Sequence, residues 1–177
     1  MNTDNSIIQN WYIAYVHTNT EKKTSQLLDS MGIENYVALQ EIVKLGRNGR
    51  KMKTTKKVIG GMVFVKCTDA QRLKEVAHIP YVLRFMMDRS GTQRKVATVP
   101  QSQMDLLRFM VGQSEVPVEF SQGEFAVGKK VRVVRGALMG IEGTVKEIKP
   151  DMTEVIVQLD TIGCARLAIE SFNLESV

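Results

Sequence analysis

The stretch FAVGKKVRVVRGALMGIEGTVKEI, from Phe125 to Ile148, decides the fold of the C-terminal part of the chain. Two runs within it, residues 131–134 and 144–148, are rich in β-branched residues and typical of short strands. Glycine reaches turn conformations that other residues avoid, and it separates these runs. The glycines stand before the first strand, at its end and in the reversal to the second: Gly128, Gly136, Gly140 and Gly143. This stretch therefore predicts two strands joined by a tight turn.

The strand pattern continues to the end of the chain. Residues 155–159 and 166–169 add two more short strands, and residues 116–177 show no helical periodicity. About 55 residues of short strands fit a small SH3-like β-barrel, a closed form without exposed sheet edges. We expect this barrel to occupy residues 124–177.

The preceding residues differ in charge. Residues 1–115 hold 17 basic and 10 acidic side chains, whereas residues 116–177 hold 7 and 9. The two parts meet at residues 113–123, which are rich in Gly, Ser and Pro and lack a regular pattern. We interpret residues 113–123 as a linker that follows a basic N-terminal domain, residues 1–112.

Strand and helix signals alternate in the N-terminal domain. Strands are predicted over Trp11–His17, Tyr36–Leu45, Met62–Cys67 and Tyr81–Met86. The first helix is predicted to begin after Asn19 or Thr20, to bury Leu27, Leu28 and Met31, and to end at Gly32; another helix spans Gln101–Val111. This mixture predicts an α+β protein whose N-terminal α/β sandwich has a mainly antiparallel sheet.

Composition excludes several classes of protein. Apolar residues make up 44% of the chain and charged residues 24%, as in ordinary globular domains. The longest uncharged apolar run, Val58 to Val65, has eight residues, far short of the ~20 that a membrane span needs. The N-terminus carries no export signal, which predicts a cytoplasmic protein without a membrane partner.

No catalytic or metal-binding constellation is present in the sequence. Cys67 and Cys164 are far apart, and the only histidines are His17 and His78. We therefore expect two buried thiols, no metal, no cofactor and no enzymatic activity.

Two surfaces of the N-terminal domain are candidates for binding. Met62 and Phe64 are two residues apart on one strand and share a face, whereas Val63 and Val65 point to the other. A sheet that is apolar on both faces needs a packed layer on each of them. If one face has no such layer within the domain, it could accept a helix of a partner protein. The alternative is that both faces belong to the hydrophobic core. The second surface is the basic hairpin, Lys44–Lys57, with seven basic residues and no acidic one around the turn Gly46–Gly49.

The glycine spacing of Phe125–Ile148 resembles the KOW motif. The KOW-like stretch follows a basic α/β domain that opens with Trp11-Tyr12, and the chain from Trp11 to Glu175 thereby resembles the NusG family. Shared features include the Glu21-Lys22-Lys23 helix start and the strand Gly61–Val65. The stretch LLDSMGIENYVALQ and the closing SFNLE resemble the UpxY branch, which regulates capsular polysaccharide operons in Bacteroides-type bacteria.

The resemblance implies a function without chemistry. A NusG-type N-terminal (NGN) domain binds RNA polymerase by accepting the tip of its clamp helices, and it suppresses pausing or termination. The protein would then be a monomeric elongation or antitermination factor that acts at polysaccharide operons. The matching polymerase-binding positions are Tyr15, Ile59, Met62, Phe64 and Phe85.

The remaining candidate residues concern nucleic acid and a further partner. In the basic hairpin, Lys44, Arg47, Arg50, Lys51 and Lys53 are candidates for phosphate contact; an acidic polymerase surface or plain solvation are the alternatives. On the first helix, His17, Asn19, Lys22, Lys23 and Gln26 are candidates for reading non-template DNA or nascent RNA, with a solvated helix face as the alternative. In the KOW domain, Leu138, Ile141 and Phe172 would form an apolar patch for Rho or the ribosome.

A different class of function competes with this interpretation. KOW barrels also occur in ribosomal proteins, so a KOW-containing RNA-binding or ribosome-associated protein is the alternative. The basic charge lies outside the barrel, which is net negative, and this favours the transcription factor.

Overall fold

The computed structural model describes residues 8–88, 95–114, 117–121, 128, 130–148, 152–159, 161–170 and 173–177. The strands are β1 (Asn10–Val16), β2 (Glu34–Tyr36), β3 (Leu39–Leu45), β4 (Lys51–Lys57), β5 (Met62–Cys67), β6 (Val82–Phe85), β7 (Thr98–Val99), β8 (Glu119–Ser121), β9 (Lys130–Val133), β10 (Glu142–Ile148), β11 (Met152–Leu159), β12 (Gly163–Glu170) and β13 (Leu174–Ser176). The helices are α1 (Glu21–Ser30), α2 (Asp69–Lys74) and α3 (Gln101–Gln113), with a 3₁₀ turn at Val76–His78. All strand pairs in the described part of the chain are antiparallel, which confirms the prediction of a mixed α/β fold with mainly antiparallel sheets. None of the helices described in these ranges is long and apolar enough to cross a membrane.

The N-terminal sheet has the strand order β2-β5-β1-β6, and β7 also pairs with β1. Its central strands β1 and β5 are aromatic and β-branched, as a strand buried on both faces requires. One face packs on Leu28 of α1 and on Val76 of the 3₁₀ turn. This face carries alternate residues of both central strands: Tyr12, Ala14, Val16, Val63, Val65 and Cys67.

Helix α1 ends where the sequence predicts but turns a different side to the core. Gly32 follows it with a φ of +68°, a conformation that favours glycine. The helix buries Leu28, but Leu27 and Met31 are 39% and 40% exposed, so the predicted Leu27/Leu28/Met31 stripe is wrong in two of three positions. Thr24, four residues before Leu28, is fully buried instead, and its hydroxyl is satisfied because it donates to the Thr20 carbonyl oxygen, 3.0 Å away.

The chain forms two compact units whose limits differ from the predicted domains. One unit comprises Met1–Val37 and Ile59–Ser102, and the other comprises Ala38–Val58 and Gln103–Val177. Strands β3 and β4 thus belong to the same unit as most of α3 and the C-terminal strands. Sequence order could not indicate this grouping, and the division into an N-terminal domain 1–112, a linker 113–123 and a C-terminal domain 124–177 stays a prediction.

The C-terminal strands form one sheet in the order β13-β9-β10-β11-β12-β8. Gly136 and Gly140 have φ values of +84° and +93°, as expected of turn glycines. Gly143 instead lies within β10, opposite Val131, and a β-carbon there would stand 2.6 Å from the Ile156 carbonyl oxygen. The glycine is therefore required by the close approach of the neighbouring strand rather than by the turn. Closure of this sheet into an SH3-like barrel stays a prediction.

The predicted linker contains ordered structure. Residues Glu119–Ser121 form β8, which pairs with β12, and Val118 before it is fully buried. Gln40 at the base of β3, only 2% exposed, binds this segment through both ends of its amide. Its Nε2 donates to the Ser114 carbonyl oxygen (2.9 Å), and its Oε1 accepts from the Val118 N–H (2.8 Å). The Gly- and Pro-rich composition of this segment does not predict these hydrogen bonds, because Gln40 lies over 70 residues earlier in the sequence.

We expect Gln40→Leu to lower the free energy of unfolding by about 2 kcal/mol, because it leaves a buried carbonyl and a buried N–H without their amide partner. Hydrogen exchange at the Val118 amide should accelerate in this variant. Gln26→Leu, at an exposed position on α1, is the matched control and should change neither quantity. The two hydrogen bonds of the Gln40 amide to Ser114 and Val118 form what we call the Gln40 clasp. Unchanged protection of the Val118 amide from exchange in Gln40→Leu would show that this clasp contributes no stability.

Candidate functional site

The face of the N-terminal sheet that carries Met62 and Phe64 is buried. The strand register places Tyr15 opposite Met62 and Ile13 opposite Phe64, so these side chains share a face. Phe64 is fully buried and Met62 is 7% exposed, and Ile59 just before the strand is also buried. The expectation of an uncovered face is therefore wrong for this conformation, and among the predicted binding residues on this face only Tyr15 is partly exposed.

Phe85 lies on the opposite face from Phe64. It pairs with Ala14 of β1, and its ring meets Tyr12 edge-on with the centroids 6.3 Å apart. The guanidinium of Arg72 stands 5.2 Å from the Phe85 ring centroid, a distance typical of a cation–π contact. The predicted grouping of Phe85 with Phe64 is thus wrong, because the register of β6 against β1 turns Phe85 toward the helices.

Arg84, which the sequence analysis missed, borders the accessible end of the same face. It stands opposite Tyr15, and its guanidinium carbon is 4.3 Å from the centre of the Tyr15 ring. Arg84 is exposed, whereas Tyr15 is half-buried. Strand alternation in Val82–Phe85 indicates that Arg84 and Phe85 point to opposite faces, but it does not indicate which face each one joins.

The candidate residues on and before α1 all face solvent. They are His17, Asn19, Lys22, Lys23 and Gln26. Glu21, at the start of α1, is only 2% exposed and connects the helix to the segment before β5. Its Oε1 accepts a hydrogen bond from the Gly61 N–H at 2.8 Å. The predicted binding surface of α1 is thus accessible to solvent, and the Glu21 hydrogen bond fixes the start of the helix. The role of this surface in nucleic-acid binding stays a prediction.

The basic hairpin consists of β3 and β4, which form a separate two-stranded sheet. Gly49 has a φ of +72°, and the Gly46 N–H donates to the Arg50 carbonyl oxygen at 2.8 Å across the turn, as predicted. All five candidate cations are exposed: Lys44, Arg47, Arg50, Lys51 and Lys53. Three aliphatic residues that the sequence analysis did not single out are exposed among them: Val43 (59%), Leu45 (74%) and Met52 (59%).

The C-terminal turn does not carry the predicted apolar patch. Leu138 and Ile141 are only 8% and 4% exposed, so their assignment as accessible partner-binding residues is wrong. Met139 between them is 65% exposed. The tight turn between Gly136 and Gly140 points Leu138 inward, and the glycine pattern alone does not indicate this. Phe172 lies outside the described residues.

Neither cysteine has the environment of a reactive thiol. Cys67 and Cys164 are both buried and free, as predicted. Burial raises the pKa of the Cys67 thiol to about 11, despite the opposing effect of nearby Arg72, so the thiol stays protonated at neutral pH. Within the described ranges, no three His, Cys, Asp or Glu residues cluster in a way that could hold a metal ion.

Comparison with known proteins identifies similar sequences and a similar fold. The family model described as "Transcription termination factor nusG" matches residues 9–108. The "Transcription termination/antitermination protein NusG" of Thermus thermophilus is 25% identical over 170 residues, covering 86% of this chain and 90% of that protein. The protein of the same name from Bacillus subtilis is 26% identical over 165 residues, covering 88% and 90%. A solved structure described as "Domain interaction in Thermotoga maritima NusG" has a TM-score of 0.55 at 21% identity, covering 96% of this chain and 98% of that one.

Proposed function

The chain belongs to the NusG family, and on this premise we propose that it binds RNA polymerase during elongation and suppresses pausing or termination. The observation that carries the proposal is the family match over residues 9–108, which include the N-terminal sheet, α1 and the basic hairpin. Its relatives are transcription termination/antitermination proteins. The proposed action is occupancy: the factor bridges the polymerase clefts and holds the clamp closed, so that pausing rearrangements become less favourable. It requires no catalytic step.

The proposed polymerase contact is the clamp-helix tip at the face of Tyr15, Met62 and Phe64. In the present conformation Met62 and Phe64 are buried, and the accessible residues around them include Tyr15, its neighbour Arg84 and Tyr36, which stands opposite Phe64. A partner can therefore contact Phe64 only after a conformational change that exposes this face of the sheet. Ile59 is 3% exposed and is likewise inaccessible to a partner in this conformation.

The proposal includes a specialised role. The UpxY-like segments support action at polysaccharide operons, and the KOW-like glycine pattern supports a C-terminal SH3-like barrel. Contact of that barrel with Rho or the ribosome would have to use surface other than Leu138 and Ile141, for example around exposed Met139. The exposed cations of the hairpin and of α1 are the proposed contacts with nucleic acid.

We expect the protein to bind bacterial core RNA polymerase, and Tyr15→Ala to weaken binding about tenfold by removing an aromatic anchor. Tyr81→Ala is the matched control, because Tyr81 is also half-buried but packs against the helix-side core. Biolayer interferometry measures both, with circular dichroism to verify folding. Absence of polymerase binding by the folded wild-type protein would refute the proposed function; equal binding by Tyr15→Ala would refute only the assigned face.

A further inference from the structure

The basic hairpin has two unlike faces. Residues directly opposite each other in an antiparallel pair share a face, and the register pairs Val43 with Lys53 and Leu45 with Lys51. These four residues define what we call the Leu45 face, and all four are exposed. The other face is covered near the base, where Gln40 is buried and Ile42 is half-buried. The Leu45 face is therefore accessible along the hairpin, whereas the other face is accessible only toward the turn, at Lys44 and Met52.

The Leu45 face carries exposed aliphatic side chains that phosphate binding does not require. A phosphate contact uses only the ammonium or guanidinium group, whereas Val43 and Leu45 hold two aliphatic side chains in water at 59% and 74% exposure. Each aliphatic residue stands beside a lysine, and the two pairs are two residues apart along the strand, about 6.7 Å. A surface that covers one member of a pair therefore meets the other as well.

The hairpin is also held at its base. Gln40 binds the backbone at Ser114 and Val118, and the Val58 N–H donates to the Ala38 carbonyl oxygen at 2.9 Å. An isolated two-stranded hairpin is at best marginally stable in water, and these anchors restrict its motion before a partner arrives.

We propose that the Leu45 face docks on an acidic polypeptide surface of RNA polymerase that carries aliphatic side chains. This inference rests on the proposed function and names one surface that the complex would use. On this face Lys51 and Lys53 supply the charge complementarity, and Val43 with Leu45 supply the apolar contact. Glu41 lies on the same face nearer the base, opposite Thr55, so the proposed contact is confined to the two pairs toward the turn. The predicted cation cluster is thereby divided: Lys51 and Lys53 face the protein, while Lys44, Arg47 and Arg50 stay available to nucleic acid.

Site-specific photo-crosslinking tests which macromolecule meets this face. A photoreactive residue is introduced as Leu45→p-benzoylphenylalanine, with Met139→p-benzoylphenylalanine as the control at a comparably exposed position. With core polymerase free of nucleic acid, we expect position 45 to crosslink to a polymerase subunit and position 139 not to do so. Crosslinks from position 45 that appear only in a complete elongation complex, and only to DNA or RNA, would overturn the proposal in favour of a nucleic-acid contact.

Affinity gives an independent test. The double variant Val43→Ser, Leu45→Ser should bind core polymerase about tenfold more weakly with an unchanged salt dependence, because it removes apolar contact and no charge. Leu73→Ser with Leu83→Ser is the matched control, since these leucines are 53% and 57% exposed elsewhere, and it should bind within about twofold of wild type. If wild type binds polymerase and the Val43/Leu45 variant binds equally well, this inference fails and the proposed function stands. If wild type does not bind polymerase, both fail.

Discussion

Replacing Phe64 by alanine is expected to lower the free energy of unfolding by roughly 3–5 kcal/mol. Phe64 is fully buried at the centre of the N-terminal sheet, between β2 and β1. Its ring centroid lies 6.1 Å from that of Tyr36, and Ile13 opposite it is also fully buried. Truncation therefore removes apolar burial and leaves a cavity that two neighbouring strands cannot easily fill. An aspartate at this position would cost more, because it would bury a charge without a partner.

Urea denaturation followed by tryptophan fluorescence measures this decrease directly. Trp11 is the only tryptophan of the chain, is 2% exposed and lies on the same strand as Ile13, so its emission reports on this sheet. Phe109→Ala, at a position 39% exposed on α3, is the matched control and should cost about 1 kcal/mol or less. A decrease below about 1 kcal/mol for Phe64→Ala would mean that this face is open in solution, as the sequence pattern predicts.

Replacing Lys44, Arg47 and Arg50 together by alanine is expected to weaken nucleic-acid binding on the order of a hundredfold at about 0.1 M salt. All three are exposed at or beside the turn of the hairpin, where they can approach phosphates without desolvating other groups. Removing one phosphate contact should reduce the slope of log affinity against log salt by about 0.7–0.9, and removing three should reduce it by roughly 2–3. Fluorescence anisotropy with a labelled forked DNA across a salt series measures affinity and slope.

The control for this experiment carries the same change in net charge. Lys74, Lys95 and Arg135 are exposed and lie outside the hairpin and α1, so the triple alanine variant should change the slope by less than about one unit. If the hairpin variant and this control give the same slope, the hairpin is only a solvated, charged surface and makes no phosphate contact.

The sequence predicted the features that depend on neighbouring residues. The strand Met62–Cys67, the glycine turn of the hairpin and the end of α1 before Gly32 follow from local alternation and from positive φ at glycine. The two buried cysteines also follow from composition. These features require no knowledge of which distant segment lies alongside.

The features that the sequence did not predict depend on contacts with residues far away in the chain. Phe85 joins the helix-side face because β6 pairs with β1 in a register that sets Phe85 opposite Ala14, which no local pattern specifies. Gln40 is buried where its amide binds the backbone of Ser114 and Val118, more than 70 residues later in the sequence. The exposed Val43 and Leu45 were within reach of sequence reasoning, since they are two residues apart in LQEIVKL with a lysine between them and therefore share a strand face. Alternation along a strand indicates only that its two faces differ, and it does not show that the apolar face is buried.

The clasp at Gln40 limits what evolution can place at that position. Only a side-chain amide offers a donor and an acceptor at the ends of one short, uncharged group, as the Ser114 carbonyl and the Val118 N–H require. Glutamate would lack the donor, and lysine would lack the acceptor. We therefore expect close homologues to keep glutamine there, so that its invariance in a family alignment would reflect architecture rather than recognition.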